Sequence, residues 1–222
     1  MHGFTLAELA IVLIVLAVLA GGMLAPLTPL LDERGRRETL ERLRDIEQAL
    51  TGFAILHGRL PCPTLVADPT AADYGLEHPP PCDDSTVGYV PWRTLGVPPT
   101  DAWGAPRHSA SAPWTGHWRY RVDRAFAPAQ SPTPKRIDAA TSPASNLQLI
   151  DHHRARITTE PSRVVALVFS TGPNRSADGL NASYSRTKPE YQLGETTAEF
   201  DDLVVWIGQP LLIARLAQAG RL

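Results

Sequence analysis

A cysteine pair, a histidine pair and an isolated carboxylate are the residues of this 222-residue chain whose types and spacing invite a chemical reading. Cys62 and Cys82 enclose 19 residues. An exported, oxidising compartment permits such a pair to bond, and closing a loop of that size stabilises a fold by roughly 3 kcal/mol. Two free buried thiols, or half of a metal site, are the alternatives. Zinc is disfavoured, because no Cys-x-x-Cys and no spaced histidines accompany the pair. His152-His153 are neighbours, and in a strand their rings would point to opposite faces, a poor geometry for one ion. Ser185-Arg186-Thr187-Lys188 matches Ser-x-x-Lys but lacks the partner motifs of that chemistry. Asn174-Arg175-Ser176 and Asn181-Ala182-Ser183 are glycosylation sequons by pattern alone. No Gly-x-Ser-x-Gly elbow and no phosphate-cradling glycine loop occurs. Lys+Arg 21 against Asp+Glu 23 leaves no basic footprint for nucleic acid. The chain therefore reads as something other than an enzyme.

Glu8 is the isolated carboxylate. It heads 23 uncharged residues that end at Asp32, and Leu9 to Ala20 is an unbroken apolar run. About 20 apolar residues cross a bilayer as a helix, and a core helix would carry a polar face that this run lacks. A cleaved secretory signal fits poorly: Met-His-Gly has no Lys or Arg, and Ala20-Gly21-Gly22 is a weak cleavage site. No cysteine follows the run, which excludes a lipoprotein. A carboxylate at this edge either lies at the headgroup level or pairs with a cation inside a membrane or helix bundle.

The elements that must position these residues follow from periodicity. Pro26 and Pro29 predict a kink after the apolar run. From Asp32 to His57, Leu40, Leu43, Ile46, Leu50 and Phe53 recur at helical steps. Arg36, Arg37, Glu41, Arg44 and Glu47 form a solvated face, and Glu38–Arg42 is an i,i+4 pair. Gly58 suits a C-cap and Pro61 prevents continuation. Fifteen of the 21 prolines lie between Gly58 and Ser145, which predicts short turns there. Arg163–Phe169, apolar on both faces, predicts a central strand; Trp118–Asp123, Asn146–Ile150 and Leu203–Ile207 are further strands. Residues 125–145 are rich in Ala, Ser, Pro and Thr and predict an exposed, mobile loop. Pro210 opens a short terminal helix with Leu212 and Leu216 facing inward. The fold class expected is α+β.

Gly3-Phe4-Thr5-Leu6-Ala7-Glu8-Leu9, followed directly by the apolar run, resembles the cleavage and methylation signal of type IV prepilins and type II secretion pseudopilins. The resemblance implies that a membrane peptidase cuts between Gly3 and Phe4 and methylates the Phe4 amine. It implies that Glu8 of one subunit neutralises the Phe4 amine of another. The three-residue leader departs from the family's basic one. The implied architecture is pilin-like: leader 1–3, a transmembrane and filament-core helix 4–31, an amphipathic helix 32–57, and a periplasmic head 58–222. The long helix packs on an antiparallel β-sheet with Pro-rich loops and a short C-terminal helix. The partners implied are prepilin peptidase, other pilins or pseudopilins, and an inner-membrane assembly platform. The implied location is the bacterial inner membrane, single-pass, with the head in the periplasm, and then a pilus or pseudopilus. The long Pro-rich head argues for a minor subunit. The competing class is a bitopic membrane protein with an exported ligand-binding or enzymatic domain.

Two further passages resemble major pseudopilins. Asp101-Ala102-Trp103-Gly104 and Trp118-Arg119-Tyr120-Arg121-Val122 are similar to a D-P-W-G … Y-x-Y passage. Here Ala102 replaces the Pro, and Ala105 to His117 is inserted. Ser170-Thr171-Gly172-Pro173-Asn174 with Ser176-Ala177-Asp178-Gly179 resembles an S-x-G-x-D-G loop that binds calcium in that family. The ligands this implies are Asp178, Asp201 and Asp202, with Asn174 as a further oxygen; the family's glycine pair is missing. Calcium takes six to eight oxygens. An Asp-Gly turn beside an Asp pair at a strand start is the alternative, with no cofactor.

Overall fold

A computed structural model describes residues 5–24, 27–82, 88–104, 114, 116–159, 163–183 and 189–222, with the backbone alone at 19–24 and 27–29. In chain order the elements are α1 (Leu6–Leu24), α2 (Leu27–His57), β1 (Gly88–Tyr89), α3 (Trp92–Leu95), β2 (Arg119–Val122), β3 (Gln148–Ile150), β4 (Val164–Ser170), β5 (Glu190–Gln192), β6 (Leu203–Gly208) and α4 (Gln209–Gln218). The chain divides into two compact units, Met1–Arg37 and Glu38–Leu222.

In the first unit the expectation of one long helix, transmembrane and then amphipathic, is corrected. The structure has α1 and α2 as separate helices, and among the described residues no helix is long and apolar enough to cross a membrane. Length and charge give the reason. The 19 residues of α1 rise about 28 Å, short of the roughly 30 Å hydrocarbon core. By its third turn α2 already carries Asp32, Glu33, Arg34, Arg36 and Arg37, and Glu33 pairs with Arg37 at 3.3 Å. Pro29 is accommodated in the first turn of α2, where its missing N–H costs nothing; Pro26 lies outside the described residues.

The second unit is an α+β fold around one sheet of order β1-β2-β4-β6, antiparallel throughout. Leu43, Ile46, Leu50 and Ala54 of α2 are fully buried or nearly so, at the steps that put them on one stripe. β4 is central and buried along its whole length. A bulge between Val164 and Ala166 lets Val165, Ala166 and Val168 join the core that contains the α2 stripe. Val164, Leu167 and Phe169 join a second core. That second core also holds Leu147, Leu149 and Tyr191, from around β3 and β5. Of the expected Asn146–Ile150 strand only Gln148–Ile150 forms, and it lies outside the antiparallel sheet: β3 pairs in parallel with β5. The terminal helix carries Pro210 in its first turn and buries Leu212 and Leu216, as its spacing predicts.

The 125–145 loop is better anchored than its composition suggests. Phe126 and Ile137 are core residues. The Leu60 N–H donates to the Phe126 carbonyl and the Ile137 N–H to the Gly58 carbonyl, both at 2.7 Å. Buried Asp123 accepts from the backbone N–H groups of Ala125, Ala144 and Ser145 and from the Ser145 hydroxyl. One carboxylate thus ties both ends of the loop together.

Cys62 and Cys82 form a disulfide, with Cα atoms 5.1 Å apart, and both are buried. Within the loop they close, Glu77 accepts two hydrogen bonds from the Arg59 guanidinium, at 2.9 and 2.6 Å. Replacing both cysteines by alanine is expected to cost about 3 kcal/mol, read as a lower urea midpoint. Reductant added to the unsubstituted chain should reproduce that shift.

Candidate functional site

Gly3 and Phe4 lie outside the described residues, so the N-terminal motif is visible from Thr5 onward. Thr5 is the residue just before α1, and Glu8 sits in its first turn. The Thr5 N–H and hydroxyl donate to Glu8 Oε2 at 2.9 and 2.8 Å, and the Glu8 N–H donates to Thr5 Oγ1 at 3.3 Å. This is a capping box, in which two otherwise orphaned helix donors are satisfied reciprocally. Sequence reasoning missed Thr5, although Thr-x-x-Glu ahead of an apolar run is its usual signature. Every described large apolar side chain of α1, from Leu6 at 90% to Val12 at 50%, is at least half exposed.

The passages at Asp101–Gly104 and Ser170–Gly172 meet. Asp101 is buried and accepts a hydrogen bond from the Ser170 hydroxyl at 2.6 Å and another from the Trp103 N–H at 3.0 Å. Ser170 Oγ in turn accepts from the Gly172 N–H at 3.0 Å. Burial pushes the Asp101 carboxyl above its ordinary range, against these stabilising hydrogen bonds. The turn is fastened to α2 as well. The Ala102 N–H donates to Thr39 Oγ1, and Arg42, paired with Glu38, donates to the Thr100 carbonyl. The Trp118 indole N–H donates to the Pro98 carbonyl at 2.9 Å.

From Ser170 the chain leads into the acidic loop. Asp178, Asp201 and Asp202 each place an oxygen within 4.8 Å of the others. The Asp178 N–H and the Asn181 amide donate to Asp202 Oδ2 at 3.0 and 2.9 Å. Asp202 Oδ1 is buried with no hydrogen-bond partner. Burial raises the Asp202 carboxyl to about 7, opposed by those two hydrogen bonds and reinforced by the charges of Asp178 and Asp201. Gly172, at φ +62, is required here: a Cβ would lie 2.2 Å from Asp201 Oδ1. The donor set is all oxygen and its most buried member has an open lone pair, so the cluster suits a hard divalent cation such as calcium. Asn174 does not supply a further oxygen. Its Oδ1 accepts from the Ser176 N–H, and its NH2 faces Asp178.

Asn181 is the residue that the sequence hid. Read only as a sequon, it is buried and both ends of its amide are engaged. It exchanges two hydrogen bonds with the Gln192 backbone and holds Asp202. The loop is thereby tied to β5. His152 and His153 lie in a turn after β3, not in a strand, with ring centroids 3.7 Å apart and both side chains exposed. Ser185 to Lys188 lie outside the described residues. No protein-family model matches the chain, and neither a curated protein nor a solved structure does.

Proposed function

We propose that this chain is a prepilin-type structural subunit. A prepilin peptidase cuts it at Gly3–Phe4 and methylates the new amine. It resides at the inner membrane before assembly, with the Glu38–Leu222 unit in the periplasm. An assembly platform then adds it to a filament of like subunits, a pilus or a secretion pseudopilus. Its work is assembly and presentation, without turnover. The observation that carries the reading is the joining of Gly-Phe-Thr-Leu-Ala-Glu to a helix whose described large apolar side chains are all at least half exposed. An apolar surface of that extent calls for lipid or neighbouring helices to cover it. The disulfide supports an oxidising compartment.

Mass spectrometry of the chain recovered from cells tests the proposal. The expected N-terminal peptide begins with N-methyl-phenylalanine at Phe4. A chain that retains Met1 in cells with an active prepilin peptidase removes the proposal and leaves the bitopic ligand-binding or enzymatic class.

A further inference from the structure

We infer that the cavity beside Arg119 binds a small monocarboxylate, with the Arg119 guanidinium as its counter-charge. The cavity measures about 50 Å³, and its lining includes Arg119, Phe169, Ala177, Asn181, Ala182 and Tyr191. All of these belong to the Glu38–Leu222 unit.

The state of the guanidinium carries the inference. Arg119 opposite Phe169 pairs β2 with β4, and cross-strand partners share a face of the sheet. That face is the one covered by the second core, to which Phe169 belongs. Arg119 is therefore partly withdrawn from water, and its Nε is buried with no hydrogen-bond partner. The Tyr89 ring lies 4.8 Å from the guanidinium carbon. Such a contact orients the cation but attracts it less than a counter-ion does. Among the described residues no carboxylate pairs with Arg119, since the three ion pairs lie elsewhere. Asp202, which Asn181 links to this cavity, accepts from the Asn181 amide and the Asp178 N–H instead. A half-buried cation without a partner is costly, and an anion in the adjoining cavity removes that cost.

The lining also sets the class of anion. Asn181 spends its amide on the Gln192 backbone and Asp202, which leaves the guanidinium as the charged donor. One positive charge matches a monoanion, and the planar fork of Arg matches a carboxylate. A phosphate dianion would keep a charge uncompensated. Phe169, Tyr191, Ala177 and Ala182 suit a short hydrocarbon stem. The volume has room for only a few water-sized groups, so acetate or propionate fits and a drug-sized ligand does not.

Nitrogen-15 spectra of the arginine-labelled full chain, purified in a nonionic detergent without carboxylate buffers, test the inference. Sodium acetate is expected to shift the Arg119 Nε–H signal saturably, beyond any effect of sodium chloride at equal ionic strength. The signal is assigned by its loss in Arg119→Lys. Saturation-transfer spectra of acetate should show binding at least about tenfold weaker in Arg119→Gln, the factor that matches loss of hydrogen bonds to a charged group. A circular dichroism spectrum checks that this variant is folded; if it is not, the titration of the unsubstituted chain decides alone. An acetate shift no larger than the chloride shift overturns the inference. So does equal acetate binding by a folded Arg119→Gln. Inorganic phosphate that displaces acetate at lower concentration than acetate itself binds overturns the choice of a carboxylate.

Discussion

Trp118→Ala is expected to lower the stability of the Glu38–Leu222 unit by about 3–5 kcal/mol, enough to leave many domains of this size barely folded. Trp118 is 1% exposed and belongs to the core that α2 shares with the sheet. Its truncation leaves a cavity bordered by elements that are held apart by their own hydrogen bonds, so the site has little freedom to collapse. The substitution also deletes the indole N–H bond to the Pro98 carbonyl. That bond fixes the approach to the turn containing Asp101, and Asp101 in turn holds Ser170 at the end of β4. Trp118→Phe separates the two effects, because it keeps most of the buried area and loses only the hydrogen bond. It should cost about 1 kcal/mol plus a small packing loss. Urea denaturation followed by far-ultraviolet circular dichroism measures both. Equal midpoints for Trp118→Ala and the unsubstituted chain would contradict this account of the core.

The indole illustrates what could be read from the chain and what could not. That Trp118 stands at the start of a strand follows from the pattern of Trp118–Asp123. That Trp118 reaches Pro98 depends on a turn whose path no periodicity encodes. β4 and the α2 stripe were legible because long apolar runs repeat one signal many times: seven buried residues in a row, and leucines at helical steps. β5 was not, since three residues with only Tyr191 buried leave no period to detect. The 125–145 loop misled because composition averages over 21 residues. Two apolar anchors, Phe126 and Ile137, and the buried Asp123 carboxylate suffice to hold it. In the acidic loop only the resemblance to a calcium loop grouped the three aspartates, since Asp178 and Asp201 are 23 residues apart in the chain. The facing of the Asn174 amide was not legible, because it is decided by one hydrogen bond to Ser176. At the amino terminus the opposite holds. The Thr5–Glu8 box was written plainly in four residues, and attention to Glu8 as an anomaly in an apolar run concealed its ordinary role as a helix cap.

That ordinary role bears on the second large effect, Glu8→Ala, which is expected to leave the chain in the membrane fraction and to reduce its incorporation into filaments by at least about tenfold. Under the proposed function, Glu8 has two partners at different times. Before assembly it accepts from Thr5 within its own chain. Within a filament, where apolar helices exclude water, it must meet a charge that compensates its own, and the methylated Phe4 amine of a neighbour supplies one. An unpaired charge inside such a bundle is costly, and the amine is left unpaired when Glu8 is removed. Glu8→Gln tests charge separately from hydrogen bonding: it can still accept from Thr5, yet cannot neutralise an amine. If pairing between subunits sets assembly, Gln fails as Ala does. Thr5→Ala makes the complementary cut. It removes the hydroxyl side of the box and leaves the carboxylate free for a neighbour, so it should assemble far better than either Glu8 variant. Sheared-filament yield, scored against total chain by immunoblot, gives the ranking. Glu8→Gln assembling as well as the unsubstituted chain, with Thr5→Ala failing, would show instead that Glu8 acts in assembly only as a cap for α1.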